Sequence, residues 1–267
     1  MHSPDRLYKY EPLTARTLQN LKEQVIYFGS PRGFNDPYDC ALTPRIKEPS
    51  DNDVERVRQK YGDDLTLTPK IRADFQRMSS EQLRRIVQRI GNKSLHEDIE
   101  EFLSKYGVSC FSEVNDSLLM WSHYGEHCKG FCLEFRTDRE PFQKMQQVTY
   151  TTQMPEVDVV TILCDGDRKQ IRDLYCTKAQ DWSYEREWRC IHDTAGTPYV
   201  YDTDTLTGVY FGPDMAFSQL EIVAMILGGQ NDTVQLWRGT RSTAAFSVEF
   251  ERITYTPHLE AKRKGLV

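Results

Sequence analysis

Residues 178–189 read KAQDWSYEREWR, and the last six of them alternate aromatic and charged side chains. Side chains of an extended chain point alternately to two faces, so this pattern predicts a β-strand late in the chain. In such a strand Glu185 and Glu187 share one face, while Tyr184 and Trp188 share the other. Two neighbouring carboxylates repel each other unless cations lie opposite them, which makes this strand a candidate for chemistry as well as structure.

Segments on both sides of this stretch also have strand character. Runs rich in β-branched and aromatic residues predict strands at residues 6–10, 25–28, 108–112, 131–135, 147–151, 157–164, 186–192, 208–212 and 246–255. Between them, Thr14 and Ser218 are predicted N-caps of helices at 15–23 and 219–227, and a further helix is predicted at 167–179. Together these elements predict an α+β fold with a curved, largely antiparallel sheet that is flanked and interrupted by helices.

The segment from residue 50 to residue 107 differs from the rest because its apolar residues recur at helical spacing. Ser79, three residues before Gln82, predicts a capping box at the start of one helix. We expect three or four helices here, forming an all-helical insertion or lid. The predicted organisation is therefore an N-terminal part of the α+β core at 1–49, the insertion at 50–107, the remainder of the core at 108–256 and a flexible tail at 257–267.

Composition limits the class of protein. The chain has 267 residues, of which 39% are hydrophobic and 28% charged, as expected for a soluble globular protein. The net charge of −6 argues against a broad nucleic-acid-binding surface. Seven cysteines without framework spacing are typical of a reducing compartment. The sequence shows no apolar signal core and no stretch long enough to span a membrane, so we expect a cytoplasmic protein with no membrane partner.

Common catalytic and metal motifs do not occur in the sequence. His123, His127, Cys128 and Cys132 lie close together but lack the Cys-x2-Cys spacing and the zincin glutamate, so no metal site is predicted from them. There is no phosphate loop, no Rossmann glycine run and no serine elbow. These absences argue against the commonest nucleotide hydrolases, dehydrogenases and serine hydrolases.

A set of aromatic and charged residues remains. Aromatic rings can sandwich a flat heterocycle such as adenine or nicotinamide, and Lys9, Lys129 or Arg189 could bind a pyrophosphate. A glutamate can stabilise the oxocarbenium-like ribose that forms when a glycosidic bond breaks. The alternative is that the aromatic residues only build the core. Residues 35–37, Asn-Asp-Pro, leave a similar choice between a turn and the lining of a pocket.

Four blocks of the sequence together resemble a known family. They are residues 7–10 (LYKY), 26–39 (IYFGSPRGFNDPYD), 120–135 (MWSHYGEHCKGFCLEF) and 178–189 (KAQDWSYEREWR). In order and spacing they are similar to the bacterial family called domain of unknown function 2971, whose name implies no activity.

A more distant similarity, to the ADP-ribosyltransferases, implies one. Glu185-Arg186-Glu187 resembles the Glu-x-Glu motif of those enzymes, and the resemblance places Glu187 at the nicotinamide ribose. Lys9 and Tyr10 would occupy the position at which those enzymes carry an Arg or a His on their first strand. Tyr27 or Ser30 would occupy the position at which they carry a serine or a tyrosine on their second strand.

The resemblance leads to a hypothesis of an ADP-ribosyltransferase-like enzyme that cleaves NAD at the nicotinamide ribose, acting as a toxin or phage-defence effector. Its expected catalytic residues are Glu187 and Glu185, with NAD as co-substrate and an unknown macromolecule as target. The expected nucleotide contacts are Lys9, Tyr10, Tyr27, Ser30, Asn35, Trp121, Ser122, Tyr124 and Arg189. Two alternatives stay open: a non-catalytic nucleotide- or peptide-binding module, and a magnesium-dependent nuclease using Asp36, Asp39, Glu134 and Glu187.

Overall fold

A computed structural model describes residues 4–265 of the chain. Residues 1–3 of the predicted N-terminal part and residues 266–267 of the predicted tail lie outside them. The chain forms two compact units. Within the described residues, the first consists of residues 4–29, 107–148 and 181–265. The second consists of Ser30–Tyr106 and Thr149–Gln180.

The strands are, in chain order, β1 (Arg6–Glu11), β2 (Val25–Phe28), β3 (Arg45–Ile46), β4 (Gly107–Ser112), β5 (Phe131–Arg136), β6 (Gln146–Gln147), β7 (Thr149–Thr151), β8 (Glu156–Val157), β9 (Thr177–Ala179), β10 (Glu187–His192), β11 (Thr197–Val200), β12 (Leu206–Phe211), β13 (Gln235–Arg241) and β14 (Val248–Ile253). The helices are α1 (Ala15–Glu23), α2 (Asp51–Gly62), α3 (Pro69–Arg77), α4 (Ser80–Lys105), α5 (Leu118–His123), α6 (Val159–Asp165), α7 (Lys169–Leu174), α8 (Phe217–Gly228) and α9 (His258–Arg263). None of the helices in the described part of the chain combines the length and the apolar composition needed to cross a bilayer.

The first unit is built on a sheet of eight strands in the order β14-β13-β12-β5-β1-β4-β10-β6. Its neighbouring strands are antiparallel except for the parallel pair of β12 and β13. Helix α8 lies between β12 and β13 in the sequence, because a parallel pair needs a long crossover connection. The prediction of a mixed fold with a large, mostly antiparallel sheet interrupted by helices is confirmed.

Strict alternation along the strands gives this sheet two different faces. Leu133 and Phe135 of β5 are buried on one side, in a cluster with Leu7 of β1, Trp188 of β10 and Val223 of α8. We call this side the core face. Helix α8 covers it because α8 buries a continuous apolar stripe of its own. The residues between these positions point to the opposite side of the sheet.

The second unit contains the helical segment predicted at 50–107, apart from its last residue, together with residues 30–49 and 149–180. Its long helix α4 begins with the predicted capping box, in which the Ser79 backbone N–H donates to the Gln82 side chain at 2.8 Å. Two short sheets, β3 with β8 and β7 with β9, belong to this unit. Whether the helices act as a lid stays a prediction.

Two sequence predictions in the second unit are wrong. Most of the strand expected at 157–164 is the helix α6. Asp158 is its N-cap, because its side chain accepts a hydrogen bond from the Thr161 backbone N–H. Gly166, with φ of 71°, ends the helix in the left-handed conformation. Its β-branched run suggested a strand, and these local caps outweigh that preference. The helix expected at 167–179 is limited to α7 because Thr177–Ala179 pairs with β7.

Near the C-terminus two predictions differ from the structure in detail. Helix α8 begins at Phe217, two residues before the predicted start, and its N-cap is Ala216 instead of Ser218. His258–Arg263, which fell in the predicted flexible tail, forms helix α9 and buries Ala261. Residues 234–238, whose sequence fits either a helix or a strand, lie in strand β13 from Gln235 onward.

Candidate active site

The sheet of the first unit carries a row of polar side chains on the side opposite to its core face. Tyr8 of β1 lies opposite Glu134 of β5 and opposite Ser112 of β4, and Ser112 lies opposite Glu187 of β10. Directly opposed residues share a face of the sheet. We call this side, defined by Glu134, Tyr8, Ser112 and Glu187, the acidic face.

Glu187 forms an ion pair with Arg189 on the same face. Arg189 donates from Nε to Oε1 of Glu187 at 2.7 Å and from a terminal nitrogen to Oε2 at 2.9 Å. The two side chains are 5% and 0% exposed. A bidentate guanidinium–carboxylate contact is among the strongest polar contacts in proteins, and burial makes loss of either partner costly. The position and orientation of the Glu187 carboxylate are therefore fixed.

Glu185 is buried as well, but it does not lie on the strand. Gln180–Glu185 forms a 3-10 helix, and β10 begins only at Glu187. The expectation that an extended chain from Tyr184 places Glu185 and Glu187 on one face is therefore wrong. The physical reason is Arg186, whose φ of 43° turns the chain between the two glutamates.

Hydrogen bonds hold this turn against the end of β4. Ser112 Oγ donates to the Glu185 carbonyl at 2.6 Å, and the Glu113 backbone N–H donates to the Arg186 carbonyl at 3.2 Å. Left-handed φ values are uncommon for residues with a Cβ and persist only where surrounding contacts impose them. Such backbone strain is concentrated at functional sites, so the turn is part of the candidate site.

Side chains at the end of α5 reach the same turn. Tyr124 OH donates to Oε1 of Glu185 at 2.5 Å. His123 Nδ1 and Tyr184 OH lie 2.9 Å apart, at hydrogen-bond distance. Ser122, predicted as a nucleotide contact, is half-buried on the same helix. The end of α5 thus places a donor, Tyr124, on Glu185 and brings His123 to hydrogen-bond distance of Tyr184.

Two of the predicted aromatic contacts pack together on the acidic face. The rings of Tyr10 and Trp121 are 5.1 Å apart in an edge-to-face arrangement. Tyr10 OH donates to the Val114 carbonyl at 2.9 Å, and Trp121 Nε1 donates to the Asn115 carbonyl at 2.7 Å. Trp121 is fully buried, so its ring serves as packing for this face.

Lys9 and Tyr27 do not join this group. Lys9 shares the core face with Leu7, and its Nζ lies 5.3 Å from the centroid of the Phe111 ring. Neighbouring residues of a strand cannot both face one side, so Lys9 and Tyr10 are separated by the sheet. Tyr27 lies in the separate pair of β2 and β11, where the Arg16 guanidinium stacks 4.0 Å from its ring.

The remaining predicted residues, Ser30 and Asn35, belong to the second unit. Ser30 Oγ donates to the Leu103 carbonyl at 3.3 Å, and Asn35 is exposed. In the same loop Oδ1 of Asp36 accepts from the Tyr38 backbone N–H at 2.9 Å, so the predicted turn is confirmed. Oδ2 of Asp36 is buried without a hydrogen-bond partner among the described residues.

Two functional candidates, Ser112 and Lys178, were missed by sequence reasoning. Ser112 had no motif around it, and only strand register brings it beside Glu187. In the second unit Lys178 and Asp39 form an ion pair at 3.2 Å, with 4% and 3% of their side chains exposed. Asp39 was already a ligand in the nuclease alternative, whereas Lys178 had no assigned role; it opens the block at 178–189, and its charge next to apolar and aromatic residues was the available signal.

Glu134, a ligand in the nuclease alternative, is a buried carboxylate with three donors. Arg6 and Thr207 donate to its Oε1 at 2.9 and 2.7 Å, and Tyr210 donates to its Oε2 at 2.7 Å. Across residues 4–265 no group of three or more His, Cys, Asp or Glu is arranged to hold a metal ion. The nuclease alternative stays a prediction.

The comparisons with known proteins concern the same part of the chain. No curated protein and no solved structure matches the sequence. One family model does match, over about a quarter of the chain, and the matched segment begins in α5 and ends in β10. It therefore contains Tyr124, Glu185, Glu187 and Arg189. Residues 120–190 match the family described as a protein of unknown function (DUF2971).

Proposed function

We propose that this protein is an ADP-ribosyltransferase-like enzyme that cleaves NAD at the bond between nicotinamide and ribose. The observation that carries the proposal is the pair of buried, oriented carboxylates at the start of β10. Tyr124 holds Glu185, and Arg189 holds Glu187. Carboxylates fixed in place before the reaction can stabilise a developing oxocarbenium ion without reorganising.

The roles follow from the chemistry of the step. As the glycosidic bond lengthens, positive charge grows on the ribose and the nicotinamide leaves with the bonding electrons. Glu187 would face the ribose, where a carboxylate accepts a hydrogen bond from the hydroxyl next to the reacting carbon. Glu185 would orient the nucleophile of the macromolecular target. Arg189 and Tyr124 are positioning residues that act through the two glutamates. A bacterial toxin or phage-defence effector would use such transfer on a host or phage macromolecule.

A transfer assay tests the proposal. The protein is incubated with labelled NAD and a bacterial lysate, and label on protein and on nucleic acid is counted. We expect transfer by the wild type and a loss of at least a hundredfold in Glu187→Gln, since the substitution keeps the shape and removes the charge. Glu249→Gln, an exposed residue of β14, is the matched control and should transfer like the wild type. If the wild type and Glu187→Gln transferred equal amounts of label, the proposed transferase activity would lose its main support.

One observation favours a second candidate, a non-catalytic nucleotide- or peptide-binding module. Both oxygens of Glu187 already accept from Arg189, and buried ion pairs of this kind commonly serve structure alone. A binding module predicts saturable binding of the nucleotide without release of nicotinamide. It also predicts that Glu187→Gln protein that is still folded binds the nucleotide as tightly as the wild type.

A further inference from the structure

A cavity of about 450 Å³ lies on the core face of the first unit, far from the two glutamates. It is formed by the start of α8, the middle of β13, the end of β14 with the residues that follow it, and helix α9. Four other strands separate β13 from β10 in the sheet, which places the cavity roughly 24 Å away at ordinary strand spacing. Its volume lies within the range of small-molecule sites.

The walls of this cavity are largely apolar. Leu220 of α8 is buried, Ile253 of β14 is half-buried, and Ala261 of α9 closes the far side. Phe217 also lines the cavity, yet it is 66% exposed. An aromatic ring left this open to water favours contact with an apolar ligand, since covering it removes apolar surface from water.

Arg238 supplies a positive charge at the same wall. One of its terminal nitrogens donates to the Met215 carbonyl at 2.8 Å, which fixes the direction of the guanidinium. Glu251 lies directly opposite on β14 and Glu221 lines the same cavity, but neither forms an ion pair with Arg238 in the described part of the chain. A guanidinium has five donors in a planar fork that fits a carboxylate.

Glu221 limits the charge of the ligand. Glu221 and Tyr255 both line the cavity, and burial, the charge of Glu221 and a hydrogen bond to it raise the pKa of Tyr255. A ligand with two negative charges would be repelled by Glu221. A single carboxylate on an apolar body satisfies Arg238 and avoids this repulsion.

We propose that the cavity binds a small monocarboxylate with an apolar body, its carboxylate on Arg238 and its body against Phe217, Leu220 and Ile253. The site is separate from the proposed transferase site and does not depend on it. The ligand class follows from Arg238, which forms no ion pair in the described part of the chain, and from the largely apolar walls around it.

Titration calorimetry with octanoate as the probe tests this site on the full chain. We expect saturable binding to the wild type with one site per chain, and binding at least tenfold weaker in Arg238→Met. Arg252→Met is the matched control, because Arg252 is exposed on β14 and does not line the cavity. 1-Octanol, which lacks the carboxylate, should bind at least tenfold more weakly than octanoate.

Phe217→Ser provides a second variant that leaves the core intact, since Phe217 is mostly exposed. It should weaken octanoate binding even if Arg238→Met fails to fold. Octanoate binding that is equal in the wild type, Arg238→Met and Phe217→Ser would overturn the proposal. A dimer in solution that Phe217→Ser dissociates, with no octanoate binding, would also overturn it by showing that a second copy covers the cavity.

Discussion

At the scale of single residues, the Glu187–Arg189 pair is the feature on which the candidate site depends. Sequence reasoning identified both residues, because two acids next to aromatic rings and an arginine are an unusual combination for a strand. The strand predicted at 186–192 places both side chains on one face, whereas the bidentate geometry of their contact is a finding of the structure. The period of two along β10 explains the contact once the strand start is known.

The first prediction concerns the stability that this pair provides. Arg189→Met leaves the Glu187 carboxylate buried without its guanidinium, and we expect the free energy of unfolding to fall by about 3–5 kcal/mol. Adding Glu187→Gln to that variant should recover part of the loss, because the buried charge is then gone. Chemical denaturation measures both. If the double variant is as unstable as the sum of the two single ones, the pair is not coupled.

The second prediction concerns Arg186, whose φ of 43° lies in the left-handed region. Glycine adopts this conformation without steric cost, whereas a β-branched residue does not. Arg186→Gly should therefore be more stable than Arg186→Val by about 1–2 kcal/mol. Since Arg186 is exposed, side-chain packing contributes little to the difference. Equal melting temperatures of the two variants would contradict the strained turn.

At the scale of elements, the turn before β10 shows why part of the site could not be predicted. Alternation from Tyr184 to Arg189 indicated one continuous strand, and Glu187–His192 is indeed a strand. The 3-10 helix before it has no sequence signal, because left-handed turns are usually marked by glycine or asparagine and this one contains arginine. Similarly, the β-branched residues of α6 favoured a strand, while Asp158 and Gly166 determined the helix.

At the scale of the whole molecule, the largely antiparallel sheet was predictable because β1, β5 and β12 each show strand-like sequence patterns that can be recognised within the strand alone. The division into two units was not, since residues distant in sequence form the second one. The parallel pairing of Thr149–Thr151 with Thr177–Ala179 is an example. Periodicity within a segment carries no information on which distant segment it will contact.

The third prediction follows from tyrosines buried in the fold. Burial, and then the nearby charge of Glu134, raise the pKa of Tyr8 from 10.0 to about 12. A raised folded-state pKa means that the folded chain keeps the proton that the unfolded chain loses. The contribution of the protonated Tyr8 phenol to the free energy of unfolding is therefore complete below about pH 10, and it is lost as pH rises from 10 toward 12. Tyr10, Tyr175, Tyr201 and Tyr210 shift in the same direction.

Denaturant unfolding across this alkaline range measures the effect. The free energy of unfolding should fall as pH rises above about 10, and Tyr8→Phe should show a shallower fall than the wild type because it has no proton to lose at that position. Tyr38→Phe is the control, since Tyr38 is 54% exposed, and its profile should follow that of the wild type. A Tyr8→Phe profile parallel to the wild type would show that Tyr8 does not contribute.

The central claim is that the two buried glutamates before and at the start of β10 act on NAD. Its most direct measurement is the quantity of free nicotinamide released from NAD by the wild type, Glu185→Gln and Glu187→Gln under the same conditions, with folding checked by thermal melting. We expect release by the wild type and at least a hundredfold less by Glu187→Gln, with Glu185→Gln reduced as well. Folded wild-type protein that binds NAD and releases no nicotinamide, or a Glu187→Gln variant that releases as much as the wild type, would contradict it.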